Sequence, residues 1–401
     1  MKLSLPLLAL LAAACLSREA AAAQLGDVSV SGFVGVDTRF FPWDPMLPGQ
    51  AGNADISLII NPEFRHITDD RKHQFSFIPF ARIDSRDGQR THVDIREAYW
   101  LYKGGDWELL TGFNKVFWGV TESNHLVNII NQVDGVEDID GEDYLGQPMV
   151  NLTTFNDWGQ VDLFILPGFR ERTFVDVDGR FRTPLPVDTS RPIYTSGLGQ
   201  KHTDVAVRYS NFFGDFDVGL YYFYGTGREP TLVPDGTGTF LLPRYDIIHQ
   251  GGLDVQYTKD AWLFKFEGII RQGQGQVFGS FVAGFEYTLY QVFDSASDIG
   301  LLVEYLHDGR DATAPVTIFE DDIFFGVRWA LNDIQDTSLL VGAIVDPSTS
   351  ETFFNIEAER RLGDHYTVEI RARFFTGADP GELTFFNSTD DYIQIRLARY
   401  F

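Results

Sequence analysis

The sequence predicts an all-β protein, a transmembrane antiparallel up-and-down β-barrel of about eighteen strands. Three observations predict this fold. Apolar residues recur at every second position over segments of about 10–13 residues, which exceeds the 5–6 residues of an average soluble strand. The connections between these segments alternate between short and long. The chain ends in an amphipathic segment whose last residue is Phe401.

Composition and charge exclude several other classes. The 401 residues are 44% hydrophobic and 22% charged, so this is not a disordered chain of low hydrophobicity. Beyond the N-terminus no apolar run approaches the roughly 18–20 residues that a spanning helix needs. The net charge of −25 argues against nucleic acid as a partner. Cys15 is the single cysteine, so no intramolecular disulfide is expected.

The N-terminus predicts a signal peptide over residues 1–23. Lys2 precedes an apolar stretch that is too short to span a membrane, and small residues then lead to a cleavage site after Ala23. Lipoprotein cleavage before Cys15, with that cysteine lipidated, is an alternative that the sequence leaves open. Both interpretations predict export, after which residues 24–401 would form a single barrel domain.

The alternation of side chains predicts both the closure of the barrel and its two faces. Between Tyr366 and Phe374, apolar residues alternate with Thr367, Glu369, Arg371 and Arg373. Eighteen such segments can be counted, or sixteen if one hairpin is miscounted. In hydrocarbon every backbone N–H and C=O needs a partner, so the sheet must close on itself. Apolar side chains would then face lipid, and polar side chains would face a wet lumen.

The connections sort into two sets by length. Tight turns such as Gly104-Gly105 alternate with a set that is mostly longer, and this asymmetry is typical of outer-membrane barrels with short periplasmic turns and long extracellular loops. The longer connections are 41–53, 119–146, 168–201, 227–243, 309–319 and 377–389. Only 85–90, 272–275 and 346–351 are tight on the same side, so 119–146 is the third connection of that side.

The last segment carries a predicted assembly signal. Ile393, Ile395, Leu397 and Phe401 form its apolar face and its end. This pattern resembles the C-terminal signal by which bacterial outer-membrane proteins are recognised for insertion. The resemblance implies location in the outer membrane of a Gram-negative cell, with the barrel-assembly machinery, outer-membrane lipid and lipopolysaccharide as partners.

The whole chain beyond the signal peptide resembles a Gram-negative outer-membrane porin. Two stretches, Arg96–Trp100 and Lys115–Gly119 running into Leu126–Asp134, are similar to a family of poorly characterised porin-like proteins. The resemblance implies a barrel and names no solute. It leaves open whether the protein is a homotrimer or a monomer.

The connection 119–146 is expected to constrict the pore, because in many porins the third long loop folds into the lumen. Between Val120 and Gly146 it has no Lys or Arg, and a wall of carboxylates favours cations. Two alternatives stay open: a calcium site at Asp138–Asp143, which lacks the EF-hand spacing, and a solvated acidic surface loop. The acidic residues are Glu122, Asp134, Glu137, Asp138, Asp140, Glu142 and Asp143.

Arginines on the polar parity of the strands are expected to face the lumen. Acidic residues interleave with them, so cross-strand charge pairs that brace the barrel are the simplest interpretation for any single arginine. As a set, bases on one wall facing acids on another would impose a transverse field. These arginines are Arg82, Arg96, Arg208, Arg271, Arg328, Arg371, Arg373 and Arg396.

These observations predict a channel for the passive diffusion of small hydrophilic or charged solutes, without a metal or other cofactor. The chain has no G-x-S-x-G or H-E-x-x-H motif, so an enzyme is not expected, although a barrel enzyme remains an alternative. A second alternative is a transporter of hydrophobic compounds. Its lumen would be lined by Phe223, Leu302, Leu306 and Phe324, which fall on the polar parity.

Overall fold

Eighteen long strands form the wall of a closed antiparallel barrel, which confirms the predicted fold class. The computed structural model describes residues 23–25, 27–349, 351–380 and 382–401. The predicted signal peptide, apart from Ala23, lies outside the described residues, and so does the lipidation alternative at Cys15. Each strand pairs with the next along the chain, and the last pairs with the first.

The strands of the wall are numbered β1 to β18 in chain order. The first nine are β1 Val28–Phe40, β2 Ala54–Ile67, β3 His73–Asp84, β4 His92–Lys103, β5 Trp107–Asn114, β6 Gln147–Asn156, β7 Gly159–Pro167, β8 Thr203–Phe213 and β9 Phe216–Thr226. The second nine are β10 Ile247–Lys259, β11 Trp262–Gln272, β12 Phe278–Leu289, β13 Asp298–Asp308, β14 Asp321–Ala330, β15 Ser338–Val345, β16 Thr352–Leu362, β17 Tyr366–Thr376 and β18 Tyr392–Tyr400.

The barrel closes between β1 and β18. Their register runs from Phe33 opposite Tyr400 to Phe40 opposite Ile393, and the backbone N–H of Phe401 donates to the carbonyl of Gly32 at 3.0 Å. Gly32 has a φ of +129°, and a Cβ there would lie 2.4 Å from the carbonyl oxygen of Asn61. Only glycine therefore lets β1 pass β2 at this point.

The bounds of the predicted long connections agree with the structure to within three residues, with one larger departure. The connection that was expected to begin at residue 119 begins at 115, because β5 ends at Asn114. There the chain leaves the wall, because the side chain of Asn131 accepts a hydrogen bond from the backbone N–H of Val116 at 2.8 Å. The third long connection thus begins at residue 115.

The two faces of the wall have opposite polarity. In β18, Ile393 and Ile395 are 42% and 43% exposed on the outer face, whereas Gln394 between them is 2% exposed. The same alternation holds in β11, where Phe264 is exposed and Lys265 is buried. An outer surface of apolar side chains and a polar interior are what a barrel in a bilayer requires.

The long connections lie at one rim and the tight turns at the other. Two of the long connections, 168–202 and 227–246, contribute a small three-stranded sheet made of Ile193–Tyr194, Thr231–Pro234 and Leu241–Tyr245. A short strand, Ala23–Leu25, which pairs with the start of β1, and three short 3-10 helices complete the regular structure of the described residues. None of the helices within the described ranges is long and apolar enough to cross a membrane.

Candidate pore constriction

The segment 115–146, here called the inner loop, is fixed first by two of its own asparagines. The Asn128 side chain accepts hydrogen bonds from the backbone N–H groups of Trp118 and Gly119, at 2.7 and 3.0 Å. The Asn131 amide donates to the carbonyls of Asn114 and Leu145, both at 2.9 Å. Asn128 and Asn131 therefore hold the two ends of the inner loop together through hydrogen bonds to its backbone.

A buried carboxylate on β11 holds the first turn of the inner loop. Glu267, which is fully buried, accepts hydrogen bonds from the backbone N–H of Val120 at 2.6 Å and of Thr121 at 3.0 Å. Its second oxygen accepts from the N–H of Val127 at 3.1 Å. Hydrogen bonds to an ionised acceptor are about twice as strong as neutral ones. The wall therefore binds the loop through the loop's backbone.

A second wall carboxylate, Glu304 on β13, binds the next two residues of the loop in the same way. It accepts from the backbone N–H of Glu122 at 2.8 Å and from both the N–H and the hydroxyl of Ser123, at 2.8 and 2.6 Å. The side chain of Glu122 then pairs with Arg328 of β14 at 2.6 Å. The loop is thus tied to three strands by consecutive residues.

Apolar residues of the inner loop pack against inward-facing apolar residues of β5 to β11. Val127, Ile129 and Ile130 are 0–2% exposed and belong to a cluster with the inward-facing Phe164 and Phe223. Leu126 contacts this cluster and also a second one made of Val282, Leu302, Leu306, Phe324 and Ile344. The apolar residues that were expected to line a hydrophobic path are therefore covered by packing, in part by the inner loop itself.

The acidic end of the inner loop contacts the arginines of the opposite side of the barrel. The ion pairs are Asp134–Arg96 at 2.7 Å, Glu137–Arg82 at 2.5 Å, Asp138–Arg371 at 2.8 Å and Asp140–Arg373 at 3.1 Å. Tyr392 of β18 also donates to Asp138 at 2.8 Å. The structure thus brings these predicted acids and bases together as direct pairs, rather than as two separated walls.

This geometry does not fit the two alternative interpretations of the acidic segment. A solvated surface loop would leave its carboxylates exposed, but Asp134, Glu137 and Asp138 are buried. A calcium site at 138–143 would need the oxygens that Asp138 and Asp140 already give to guanidinium groups. Glu142 differs from the others: its side chain is 54% exposed and its Oε1 lies 3.7 Å from His125 Nε2.

The remaining predicted arginines pair with acids outside the inner loop. Arg208 on β8 forms an ion pair with Asp254 on β10 at 2.6 Å, and Arg396 lies 3.2 Å from Glu369. Arg271 pairs with Glu229 of the connection 227–246. These pairs fit the bracing interpretation.

Three further residues were not singled out in the sequence. Asp37 on β1 is buried and forms ion pairs with Arg82 at 3.0 Å and with Arg396 at 3.3 Å. Arg39 donates to the backbone carbonyl of Glu137 at 2.6 Å, and Arg90 donates to that of Val136 at 3.1 Å. The alternation of side chains in β1 predicts that Asp37 and Arg39 face the lumen. However, no local pattern indicates which loop they contact.

Several titratable groups of the inner loop have displaced pKa values, and two of the raised ones bear on the docking of the loop. Burial lowers the pKa of His125, but the carboxylates of Glu142 and Glu267 outweigh it and raise this pKa to about 9. Burial and the neighbouring carboxylate of Asp138 raise the pKa of Asp140. In the docked loop His125 and Asp140 therefore hold their protons more tightly, whereas, despite burial, neighbouring cations lower the pKa values of Asp134, Glu137, Asp138 and Glu142.

One group of side chains has the composition of a metal site. His92, Asp134 and Glu137 place one ligand atom each within 4.8 Å of one another. However, Arg96 and Arg82 already contact the two carboxylates, and a dication would have to displace both. The set is better described as part of the charge network.

A polar cavity of about 400 Å³ lies between the inner loop and the tight-turn rim. Trp118 lines it from the loop, with the Arg208 guanidinium 4.9 Å from the ring centre. Asn151, Gln160 and Gln256 line it from the wall. The interior below the loop is therefore lined by hydrophilic groups.

The geometry defines a class, a closed barrel with a charged loop in its interior, and the comparisons with known proteins show the same barrel fold. A BenF-like porin from Pseudomonas fluorescens Pf-5 superposes with a TM-score of 0.54 at 8% identity, covering 94% of this chain and 98% of that one. Pseudomonas aeruginosa OccK3 (OpdO) gives 0.53 at 11% identity, covering 94% and 95%. The chain therefore has the fold of Gram-negative outer-membrane porins, and this fold fits the outer membrane.

The same fold also serves another role. Wzi, an Escherichia coli outer-membrane protein involved in group 1 capsule assembly and described as a carbohydrate-binding β-barrel, superposes with a TM-score of 0.50 at 9% identity, covering 92% and 84%. No protein-family model and no curated protein matches the sequence. The likeness thus establishes the fold, and function must be argued from the site.

Proposed function

We propose that the protein is an outer-membrane channel through which small hydrophilic or charged solutes diffuse passively, with the inner loop as its constriction. One observation carries the proposal: the loop crosses the barrel interior and is bound to the wall on both sides, by Glu267 and Glu304 on one and by Arg82 and Arg371 on the other. A loop held at both ends narrows the interior without requiring a conformational cycle. No step of this transport needs covalent chemistry.

The charge pairs limit how strongly the constriction selects ions. Each buried acid of the loop lies beside a guanidinium group, so its field is largely cancelled at the distance of a passing ion. Glu142 is exposed, and its neighbour Asp143 has no arginine partner among the described ion pairs. A weak preference for cations follows, and it should fade at high salt as the Debye length falls below its roughly 10 Å at 0.1 M.

The rival proposal, transport of hydrophobic compounds through the lumen, is less well supported. Phe223, Leu302, Leu306 and Phe324 are 0–4% exposed, because they pack inside two apolar clusters. They serve as the apolar support of the inner loop. The cavity beneath the loop is polar.

Single-channel recording in planar bilayers tests the proposal. Purified protein should give discrete conductance steps, with a zero-current potential in a KCl gradient that shows weak cation preference. Small charged and neutral hydrophilic solutes should reduce the current as they occupy the pore. A folded, inserted protein that gives no steps and passes no hydrophilic solute in a liposome swelling assay would overturn the proposal.

A further inference from the structure

The regular pairing of the wall strands is interrupted across β2, β3 and β4. The β2–β3 register runs to Ile60 opposite Ala81 and resumes at Phe64 opposite Phe77. Pro62 and Pro79 stand opposite each other inside this interruption. Proline has no N–H to donate, so two facing prolines remove ladder hydrogen bonds from both strands.

The irregularity continues on the other side of β3. The β3–β4 register shifts between Ile78 and Pro79, where β4 carries a bulge. The pairing of β4 with β5 covers only Ala98 to Lys103, because β5 ends where the chain turns inward. The backbone of Gly146 reaches the free edge of β4, since a Cβ on Gly146 would lie 2.4 Å from the carbonyl oxygen of Ile95.

These departures open an apolar cleft of about 640 Å³ on the lipid-facing side of the wall. Val93, which is 81% exposed, and Ile95 form one side, and Pro62 and Pro79 form the other. Phe113 of β5 lies at the level of Ala98, near the middle of the wall. An empty cleft of this size would leave its lining without dispersion contacts.

The cleft is apolar where it opens toward lipid and is closed by charged groups on the lumen side. Asp94 lies between Val93 and Ile95 on the opposite face of β4, and the guanidinium of Arg170 donates to it at 2.7 Å and to the carbonyl of Gly146 at 2.8 Å. Because Val93 lies close to the long-loop rim, the lipid that adjoins the cleft belongs to the outer leaflet.

We propose that this cleft, formed by Ile60, Pro62, Pro79, Val93, Ile95 and Phe113, is a binding site for one acyl chain of an outer-leaflet lipid. The inference rests on the outer-membrane location in the proposed function, but not on the channel activity. A second copy of the chain is the less favoured occupant, because Gly146 already covers the free edge of β4 that an added strand would need.

Photo-crosslinking of the full-length protein tests this site. The protein is folded into phosphatidylethanolamine vesicles that contain a trace of phosphatidylethanolamine with a diazirine on its acyl chain. After irradiation, label should be several-fold higher on peptides from 54–103 than on the lipid-facing hairpin 278–308. Equal labelling of 54–103 and 278–308 would indicate ordinary contact with lipid and would overturn the proposal. A crosslinked dimer joined through 54–103 would also overturn it.

Two matched tryptophan variants separate site binding from folding. Ala81→Trp fills the cleft beside Ile60 and Val93, whereas Ala283→Trp places the same side chain on the regular outer face of β12. Ala81→Trp should abolish the excess label on 54–103, and Ala283→Trp should leave it unchanged. Heat-modifiable migration and single-channel conductance, recorded in parallel, would show failure of the fold or of the channel independently of the lipid label.

Discussion

Glu267 shows how a single buried carboxylate can fix a loop by its backbone, since it accepts hydrogen bonds from Val120, Thr121 and Val127. We expect Glu267→Gln to weaken loop docking by about 2 kcal/mol, because the amide loses charge and offers one acceptor oxygen. Open-channel current noise and mean conductance should both rise. Glu286→Gln is the matched control, since Glu286 only approaches Arg328 at 3.8 Å. Equal noise in the two variants would contradict a clamping role.

The pair Asp138–Arg371 tests whether paired charges cancel in the pore. Asp138→Asn alone leaves the Arg371 guanidinium without its 2.8 Å partner, so the zero-current potential should shift toward anions. Breaking one side of a buried pair costs about 3–5 kcal/mol, so loop docking should also weaken. The double variant Asp138→Asn with Arg371→Gln should return the potential close to the wild-type value. Identical shifts in the single and double variants would show that the pair does not face the permeation path.

We expect His125 to make docking of the inner loop dependent on pH. The pKa of His125 is about 9 in the docked loop, against 6.5 for a free histidine side chain. His125 therefore holds its proton more tightly when the loop is docked. The stabilisation is fully present below about 6.5 and is lost as pH rises through about 9. The raised pKa of Asp140 acts in the same direction, because docking also favours its protonated form.

We therefore expect current noise to increase between pH 7 and pH 9.5. His125→Gln should reduce this increase, while Glu142→Gln should move it to lower pH by removing one of the carboxylates that hold the proton. A pH response that is unchanged in His125→Gln would assign the effect to other groups.

The acidic end of the inner loop forms a unit that can be removed. The backbone N–H of Asp134 donates to the carbonyl of Asp143 at 2.7 Å, so the ends of 134–143 already lie together. Replacing this segment by two glycines should raise conductance, because it removes the obstruction. It should also shift selectivity toward anions, because Arg82, Arg96 and Arg371 each lose a carboxylate of the loop. Deletion of the exposed hairpin tip 236–239 is the control. Unchanged conductance after deletion of 134–143 would place the constriction elsewhere.

Closure of the whole barrel depends on β18, which pairs with both β1 and β17. We predict that deletion of Phe401 or the change Leu397→Asp sharply lowers the folded protein in the outer membrane. A carboxylate on the lipid face is destabilising, although it costs less than the roughly 2–4 kcal/mol of a Lys or Arg at mid-depth. The backbone N–H of Phe401 also donates to the carbonyl of Gly32 across the closing seam. Leu397→Ile is the control. Normal amounts of heat-modifiable, protease-resistant protein in both disruptive variants would refute the prediction.

Strand number to within one hairpin, most strand ends and the lipid-facing side of the strands were predictable from the sequence, whereas the end of β5 was not. The physical reason is local: side chains of a strand alternate with a period of two, so Ile393 and Gln394 must lie on opposite faces in any pairing. Hydrocarbon then forces the sheet to close, since a membrane cannot satisfy a free edge. The tight turns at one rim also follow from local residues such as Gly104-Gly105.

Only the tertiary structure decided which charges meet. Asp138 and Arg371 are separated by 233 positions, and Glu267 binds the N–H of Val120 across 147 positions. Ion pairs of this kind depend on the tilt and register of strands across the lumen, which no local pattern encodes. The same holds for the lipid-facing cleft: Pro62 and Pro79 are visible in the sequence, but they interrupt the wall because the β2–β3 register sets them opposite each other.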